Sequence, residues 1–326
     1  MKLKKRTAGR LIKVSGFLLI LLLLFLFFTY LFRNTDYNAR MNILDFYEED
    51  TELDAVVIGA SSIYRYWDPM GAWKEEGIAT RNYSVSSMDA ATYLLAIQDI
   101  CRSQKPEVIV VDARRFRQLN GTNQITLGAR NMLDSLDYDL FRLKSVHYYC
   151  KTMEIPWKDA LSLYIDLIQY HDNYKALTMK LNWQLADNRS GNDPIERQTF
   201  KGYAIASDHA IYEDPSANLT EERSEQTGKF IQLYKELIEY CKESDIQLLL
   251  IATPMVITEE ESKELNTLSD IARSYGVPFL DMNLHYDMKR LVWILQKIFM
   301  ICIMSMYWVQ IKLLNILPHI WHRSMS

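Results

Sequence analysis

The chain has 326 residues, 49% hydrophobic and 24% charged, with four cysteines, a globular composition that excludes disorder, collagen-like repeats and a disulfide scaffold. Its formal charge of -4 is unevenly spread: residues 1–33 hold seven Lys or Arg and no acid, residues 288–326 hold five and no acid, and all 41 acids share 34–287 with only 25 bases. A body that negative repels phosphate backbones, which argues against a nucleic-acid partner.

From Val14 to Phe32 run 19 uncharged residues, mostly Leu and Phe. At about 1.5 Å of helical rise each they come to roughly 28 Å, the thickness of a bilayer's hydrocarbon core. Lys2, Lys4, Lys5, Arg6, Arg10 and Lys13 precede the run and Arg33 alone follows closely. The positive-inside rule then predicts a cytoplasmic segment at 1–13, a transmembrane helix at 14–32 and an extracytoplasmic remainder. A cleaved signal peptide is the other reading. Its apolar part would run about 7–15 residues to a small-x-small site, whereas this one is longer and ends Thr29-Tyr30-Leu31-Phe32-Arg33. A single-pass anchor in the cell membrane is therefore expected, followed by a linker at 33–53.

Five short β-rich runs come next, at Ala55–Ile58, Ala79–Val85, Val108–Asp112, Ile246–Ala252 and Val277–Asp281. Continuous apolar stretches such as Val108–Val111 and Leu248–Ile251 suit a parallel sheet covered on both faces. Helical patterns lie between them at Asp89–Cys101 and at Glu221–Tyr240, where Phe230, Leu233, Leu237 and Tyr240 fall at helical spacing. The alternation predicts a doubly wound, mostly parallel α/β domain over 54–287. Residues 120–220 break the alternation, with Trp157, Trp183, many Tyr and a polar run Asp187–Asp193, and predict a mainly helical insertion over the sheet edge. Cys101, Cys150, Cys241 and Cys302 show no metal or redox spacing and read as free or buried thiols. With no metal cluster or nucleotide loop either, no cofactor is implied.

Asp54-Ala55-Val56-Val57-Ile58-Gly59-Ala60-Ser61-Ser62-Ile63-Tyr64-Arg65 is an apolar strand ending in Gly, a small residue and two serines. Ligand crevices of open α/β sheets lie beyond the carboxyl ends of the strands, where Ser61 falls. Gly59 lets the backbone turn sharply there and expose the hydroxyl and amide of Ser61, the amide being suited to donate to an oxyanion. The structural alternative is a helix N-cap, with Ser61 or Ser62 bonding the first free amides of the next helix.

Ile58-Gly59-Ala60-Ser61-Ser62, then Arg81-Asn82-Tyr83-Ser84-Val85-Ser86-Ser87, then Pro106-Glu107-Val108-Ile109-Val110-Val111-Asp112 together resemble the SGNH/GDSL hydrolase superfamily. Within it, they are similar to the membrane-anchored, exported branch that includes DltD-like and alginate-acetylation proteins. The resemblance covers roughly residues 40–287 apart from the insertion. It implies a flavodoxin-like five-stranded sheet, Ser61 as nucleophile, and oxyanion donors from the amides of Ser61 and the Ser86-Ser87 turn. Two departures stand out. Ser87 occupies the place of the family's oxyanion glycine, and Asp112-Ala113-Arg114 stands where the family has its GxND asparagine. Arg114 is a substitute oxyanion donor, or else a surface ion-pair partner.

A nucleophilic serine needs a base, usually His oriented by Asp. The resemblance places both in a DxxH motif after the last strand, which the chain lacks. Asp281-Met282-Asn283-Leu284-His285 is one residue too long and abuts the strand, leaving His285 as a fallback base; His147, His171 and His209 read as surface or packing residues. The tail at 288–326 has no Asp, Glu, Gly, Ala or Thr, yet carries five Met and three Trp. As a second span it falls short, because Ile298–Ile311 gives only 14 uncharged residues against the roughly 20 required. A displaced reading frame accounts for more. Starting one nucleotide earlier, the Met300-Ile301 boundary must encode Asp, the Ile303-Met304 boundary permits His, and Trp308-Val309 forces Gly. The shifted frame allows Asp-Phe-Tyr-Asp-x-x-His-Val-Asn-x-x-Gly-Ala, which resembles the missing Asp-His block. The tail is thus expected to be out of frame, leaving Ser61 without its partners.

The resemblance implies a parent protein that is an anchored extracytoplasmic serine esterase or O-acyltransferase acting on acyl groups of a cell-envelope glycan or other envelope polymer. A noncatalytic envelope protein that binds a polymer or partner is the reading from another class.

Overall fold

Five strands form one parallel sheet: β1 (Ala55–Gly59), β2 (Thr80–Ser84), β3 (Val108–Asp112), β4 (Gln247–Ala252) and β5 (Phe279–Asp281), ordered β2-β1-β3-β4-β5. This is the flavodoxin-like order, with its switch point between β1 and β3. The computed structural model describes residues 2–32, 37–117, 123–172, 200–203, 216–225 and 228–285. Val56, Ile58, Ile109, Val111, Leu248 and Leu250 enter the core on one face of the sheet. Ala55, Val57, Val108, Val110, Leu249 and Ile251 enter a smaller core on the other. Both faces are covered, which is why the strands read as unbroken apolar runs. Each predicted strand is present, β3 with the same bounds and the others with one or both ends shifted by at most two residues.

The helices follow in chain order. Helix α1 (Lys2–Leu31) contains Gly9–Thr29, 21 residues long and apolar enough to cross a membrane. The stretch read as a linker instead holds α2 (Tyr37–Tyr47), whose Ile43 and Phe46 are fully buried. Asn42 Nδ2 donates to the Ser84 carbonyl at 2.6 Å, so the domain begins before its first strand. Helices α3 (Ser61–Tyr66) and α4 (Pro69–Glu76) follow β1. After β2, Asp89 caps a single 3-10 turn that runs into α5 (Tyr93–Ser103).

Within 120–220 the described residues form α6 (Leu127–Leu133), α7 (Leu140–Thr152), α8 (Trp157–Tyr164) and α9 (Asp166–Tyr170). Met132, Leu133, Val146, Tyr149 and Leu163 join the larger core. Trp183 and the polar run Asp187–Asp193 lie outside the described residues. The helix predicted from Glu221 begins later, as α10 (Lys229–Glu243), because Gly228 at φ 102° breaks it. Finally α11 (Glu259–Ser274) starts at a reciprocal capping box between Thr258 and Glu261. Cys101, Cys150 and Cys241 are free thiols. His209, Cys302 and the tail at 288–326 lie outside the described residues.

Candidate active site

β1 delivers Gly59 to the carboxyl edge of the sheet, and Ala60 leads into α3, whose first residue is Ser61. A Cβ on Gly59 would stand 2.4 Å from Ile63 Cγ1 and 3.1 Å from Asp112 Cβ. Glycine is thus required because α3 and the end of β3 crowd against it, and not because of a left-handed turn, which Gly59 does not adopt.

The two serines part company here. Ala60 is the N-cap of α3 and no side chain bonds its first amides, so neither serine plays the capping role. Ser62 is buried, and its Oγ donates to Asp112 Oδ2 at 2.9 Å. Ser61 is half-buried and lines a cleft of about 200 Å³ together with Arg65, Tyr66, Arg114, Arg115, Arg117 and Met255. Ser61 Oγ has no hydrogen-bond partner among the described residues.

Asp112 holds two residues of this cleft, Ser62 and Arg114, a role not foreseen from the sequence. It is fully buried at the end of β3 and also accepts from Thr253 Oγ1 of the β4 edge at 3.0 Å. Arg114 Nε lies 3.2 Å from both carboxylate oxygens, and Arg114 Nη2 lies 3.1 Å from Oδ2. Burial alone would raise the Asp112 carboxyl, but the Arg114 guanidinium, the Ser62 hydroxyl and the Arg114 amide outweigh it and hold the group below the usual carboxylate range. Arg114 is therefore an ion-pair partner, buried instead of on the surface. Its Nη1 reaches Met255 Sδ at 3.3 Å in the same cleft. The signal available in the sequence was an acid closing the apolar run Val108–Val111.

Ser87 lies at the same sheet edge, since register pairs Gly59 of β1 with Ser84 of β2. It is exposed, adopts φ 56°, and is not among the residues lining the Ser61 cleft. That φ belongs to the left-handed region that favours glycine, so Ser87 holds a glycine-like backbone. Helix α6 clamps this turn. A Cβ on Gly128 would sit 1.7 Å from the Ser87 carbonyl oxygen, Asn131 Nδ2 donates to the Ser86 carbonyl at 3.0 Å, and Thr126 Oγ1 donates to Asp89 at 2.7 Å. Such close approaches leave no sequence signal beyond an unexplained glycine.

His285 ends a 3-10 turn (Met282–His285) that follows β5. With neighbouring strands about 4.8 Å apart, the end of β5 is about 14 Å from that of β1. Asp281 Oδ1 accepts from the backbone N of Asn283 at 2.9 Å and from its Nδ2 at 2.8 Å, and Asn283 Oδ1 accepts from Met255 N at 2.9 Å. These residues tie the β5 edge to the loop after β4. His147 and His171 are exposed on or beside insertion helices. Among the described residues, no group of three or more His, Cys, Asp or Glu could hold a metal ion.

A five-stranded parallel sheet of flavodoxin-like order, with helices on its faces and a serine cleft at its carboxyl edge, defines an α/β protein preceded by one membrane-length apolar helix. No family model, curated protein or solved structure matches the chain.

Proposed function

We propose that the parent protein is a membrane-anchored, extracytoplasmic serine esterase or O-acyltransferase of SGNH type, acting on O-acyl groups of an envelope glycan or related polymer. The observation that carries this reading is the divergence of adjacent hydroxyls: Ser62 is committed to Asp112, while Ser61 stands free in a cleft at the switch-point edge of the sheet. In the proposed reaction Ser61 Oγ attacks the acyl carbonyl and gives its proton to a histidine. That proton passes to the departing sugar oxygen as the ester bond breaks, and water or a second hydroxyl then releases the acyl group from the serine. Backbone amides at Ser61 and in the Ser86-Ser87 turn are the proposed oxyanion donors, with Asp112 fixing Arg114 in the cleft wall.

The basic lining favours a substrate bearing negative charge. Arg114 is paired with Asp112 and Arg117 with Glu261. Arg65 and Arg115 have no carboxylate partner among the described residues.

The Asp-His pair belongs, in this proposal, to the displaced frame after about Asp287, so the 326-residue chain is inactive and its frame-restored counterpart is active. Without a base the cleft still presents cationic side chains, which favours a polymer-binding role for the chain as it stands. A fluorophosphonate probe separates the two. Labelling of the frame-restored protein at Ser61, abolished by Ser61→Ala and kept by Ser62→Ala, is the expected result. Labelling of neither protein leaves the binding reading in place, and loss in Ser62→Ala alone assigns the wrong serine.

A further inference from the structure

Helices α8 and α9 carry apolar side chains on their solvent side. Trp157, Leu161 and Tyr164 recur at helical spacing along α8 and are 70%, 39% and 38% exposed; Ile168, on α9 just past the bend at Ile165, is 47% exposed. The opposite side of α8 is spent on the core through Ala160 and Leu163. A solvent-facing stripe of Trp, Leu, Tyr and Ile is unfavourable in water, and such stripes mark interaction surfaces.

Two observations say what covers it. Anchor helix α1 touches α9, and Thr29 at the end of the apolar span Gly9–Thr29 is buried while the residues just before it are exposed, which sets α9 and the Ile168 end of the stripe near the point where that span ends. The chain between them is also short: Phe32 ends the described part of the anchor segment, and Tyr37 already opens α2, whose Ile43 and Phe46 are buried in the domain. Five residue steps of at most about 3.6 Å hold the domain within about 18 Å of the anchor's end. The stripe's chemistry fits the same place. Trp and Tyr are the residues of the membrane-water boundary, where the ring meets acyl chains and its polar edge meets headgroups. Lys158 is exposed with its Nζ 5.9 Å from the Trp157 ring centroid, positioned to reach anionic headgroups beside it.

We infer that α8 and the start of α9 lie on the lipid surface of the bilayer that α1 crosses, so that the domain is seated on the membrane by a second contact. The inference rests on α1 spanning that bilayer, and the test reads that separately. The full chain, reconstituted in vesicles of phosphatidylcholine and phosphatidylglycerol, carries p-benzoylphenylalanine at one position at a time: 22 within α1, 161 or 168 on the stripe, and 260 on α11 as an exposed control. Irradiation and mass spectrometry then count phospholipid adducts. Adducts at 22, 161 and 168 with none at 260 are expected, and Trp157→Asp should reduce those at 161 and 168 while leaving that at 22 unchanged. An adduct at 22 with none on the stripe overturns the docking but keeps the anchor. Crosslinks from 161 or 168 to protein overturn it in favour of a chain segment or a second copy. No adduct at 22 removes the anchor reading and the proposal with it.

Discussion

Asp112 at the sheet edge and Asp134 in the insertion are both buried beside arginine, yet their carboxyls shift in opposite directions. Asp112 collects donors alone: two hydroxyls, the Arg114 amide and the Arg114 guanidinium. Asp134 shares its site with a second buried carboxylate, Asp166, and the Arg142 guanidinium spans both. Burial first, and the Asp166 charge second, push Asp134 up to about 7, against the pull of Arg142, Tyr170 and Arg130. Burial penalises both carboxylates; at Asp112 the donors outweigh it, while at Asp134 a neighbouring like charge adds to it. The edge site holds its carboxylate fixed and ionised, whereas the insertion holds one poised to take up a proton.

The largest effect should come from breaking the edge. Asp112→Asn leaves a largely buried guanidinium without its counter-charge and weakens the anchor of Ser62 and Thr253, and losing one partner of such a pair costs about 3–5 kcal/mol. A fall in unfolding free energy of that size is expected from denaturant titration of the full chain in detergent. Asp134→Asn is the matched control. There Arg142 keeps Asp166, and Arg130 keeps the Ser162 hydroxyl and carbonyl, so the cost should stay under about 1 kcal/mol at pH 8. Equal losses in the two variants would end the comparison.

Next in size is Gly128→Ala. The new Cβ would collide with the Ser87 carbonyl, so either the turn or α6 must move. A loss of about 1–3 kcal/mol is expected from overpacking alone. In the frame-restored protein, kcat should fall more than KM rises if the turn supplies an oxyanion donor. An unchanged kcat would remove the Ser86-Ser87 turn from the site.

Most of this framework was legible in the sequence, because unbroken apolar runs such as Val108–Val111 leave few alternatives to a doubly covered parallel strand. The position of Ser61 was equally legible, since it follows from where such a strand ends. What escaped detection depends on distant contacts. Helix α2 is short, and its apolar residues alone do not set it in the domain; it becomes a core element through Ile43 and Phe46 meeting the larger core. Asp112 gains its role from Ser62, Arg114 and Thr253 arriving from three connections, and Gly128 is fixed by a carbonyl 41 positions away in sequence. Ser61 and Ser62, alike in sequence, differ only once the direction of each side chain is set.

A subtler contrast should appear with pH. Asp134 has a raised folded-state value, so the fold binds its proton where the unfolded chain has released it. Its stabilising contribution is present at and below the usual carboxylate range and is lost as pH rises through about 7. Asp112 is lowered, so its contribution is present above that range and lost only on acidification. Hydrogen-exchange protection, corrected for intrinsic rates, should therefore drop in α6–α9 between pH 5.5 and 8 while β1 and β3 hold steady. A parallel change in both regions, or none in α6–α9 that Asp134→Asn suppresses, breaks the assignment.

The smallest effect concerns charge left over. In the insertion, Arg130 and Arg142 face Asp134 and Asp166 and the charges balance. At the edge, four arginines meet Asp112 and Glu261, leaving Arg65 and Arg115 unmatched and within reach of solvent. Cations at such a mouth attract a negative substrate over about 10 Å at moderate salt and lose that hold as salt rises. If the proposed function holds, Arg65→Gln and Arg115→Gln should each raise the frame-restored protein's KM for an acidic acylated polysaccharide a few-fold, by roughly 1 kcal/mol or less for a solvent-screened charge. The effect should fade at high salt and be absent with a neutral acetyl ester. Equal changes for neutral and acidic substrates would mean that the two arginines shape the cleft and do not read charge, and the negative substrate would then lose its support.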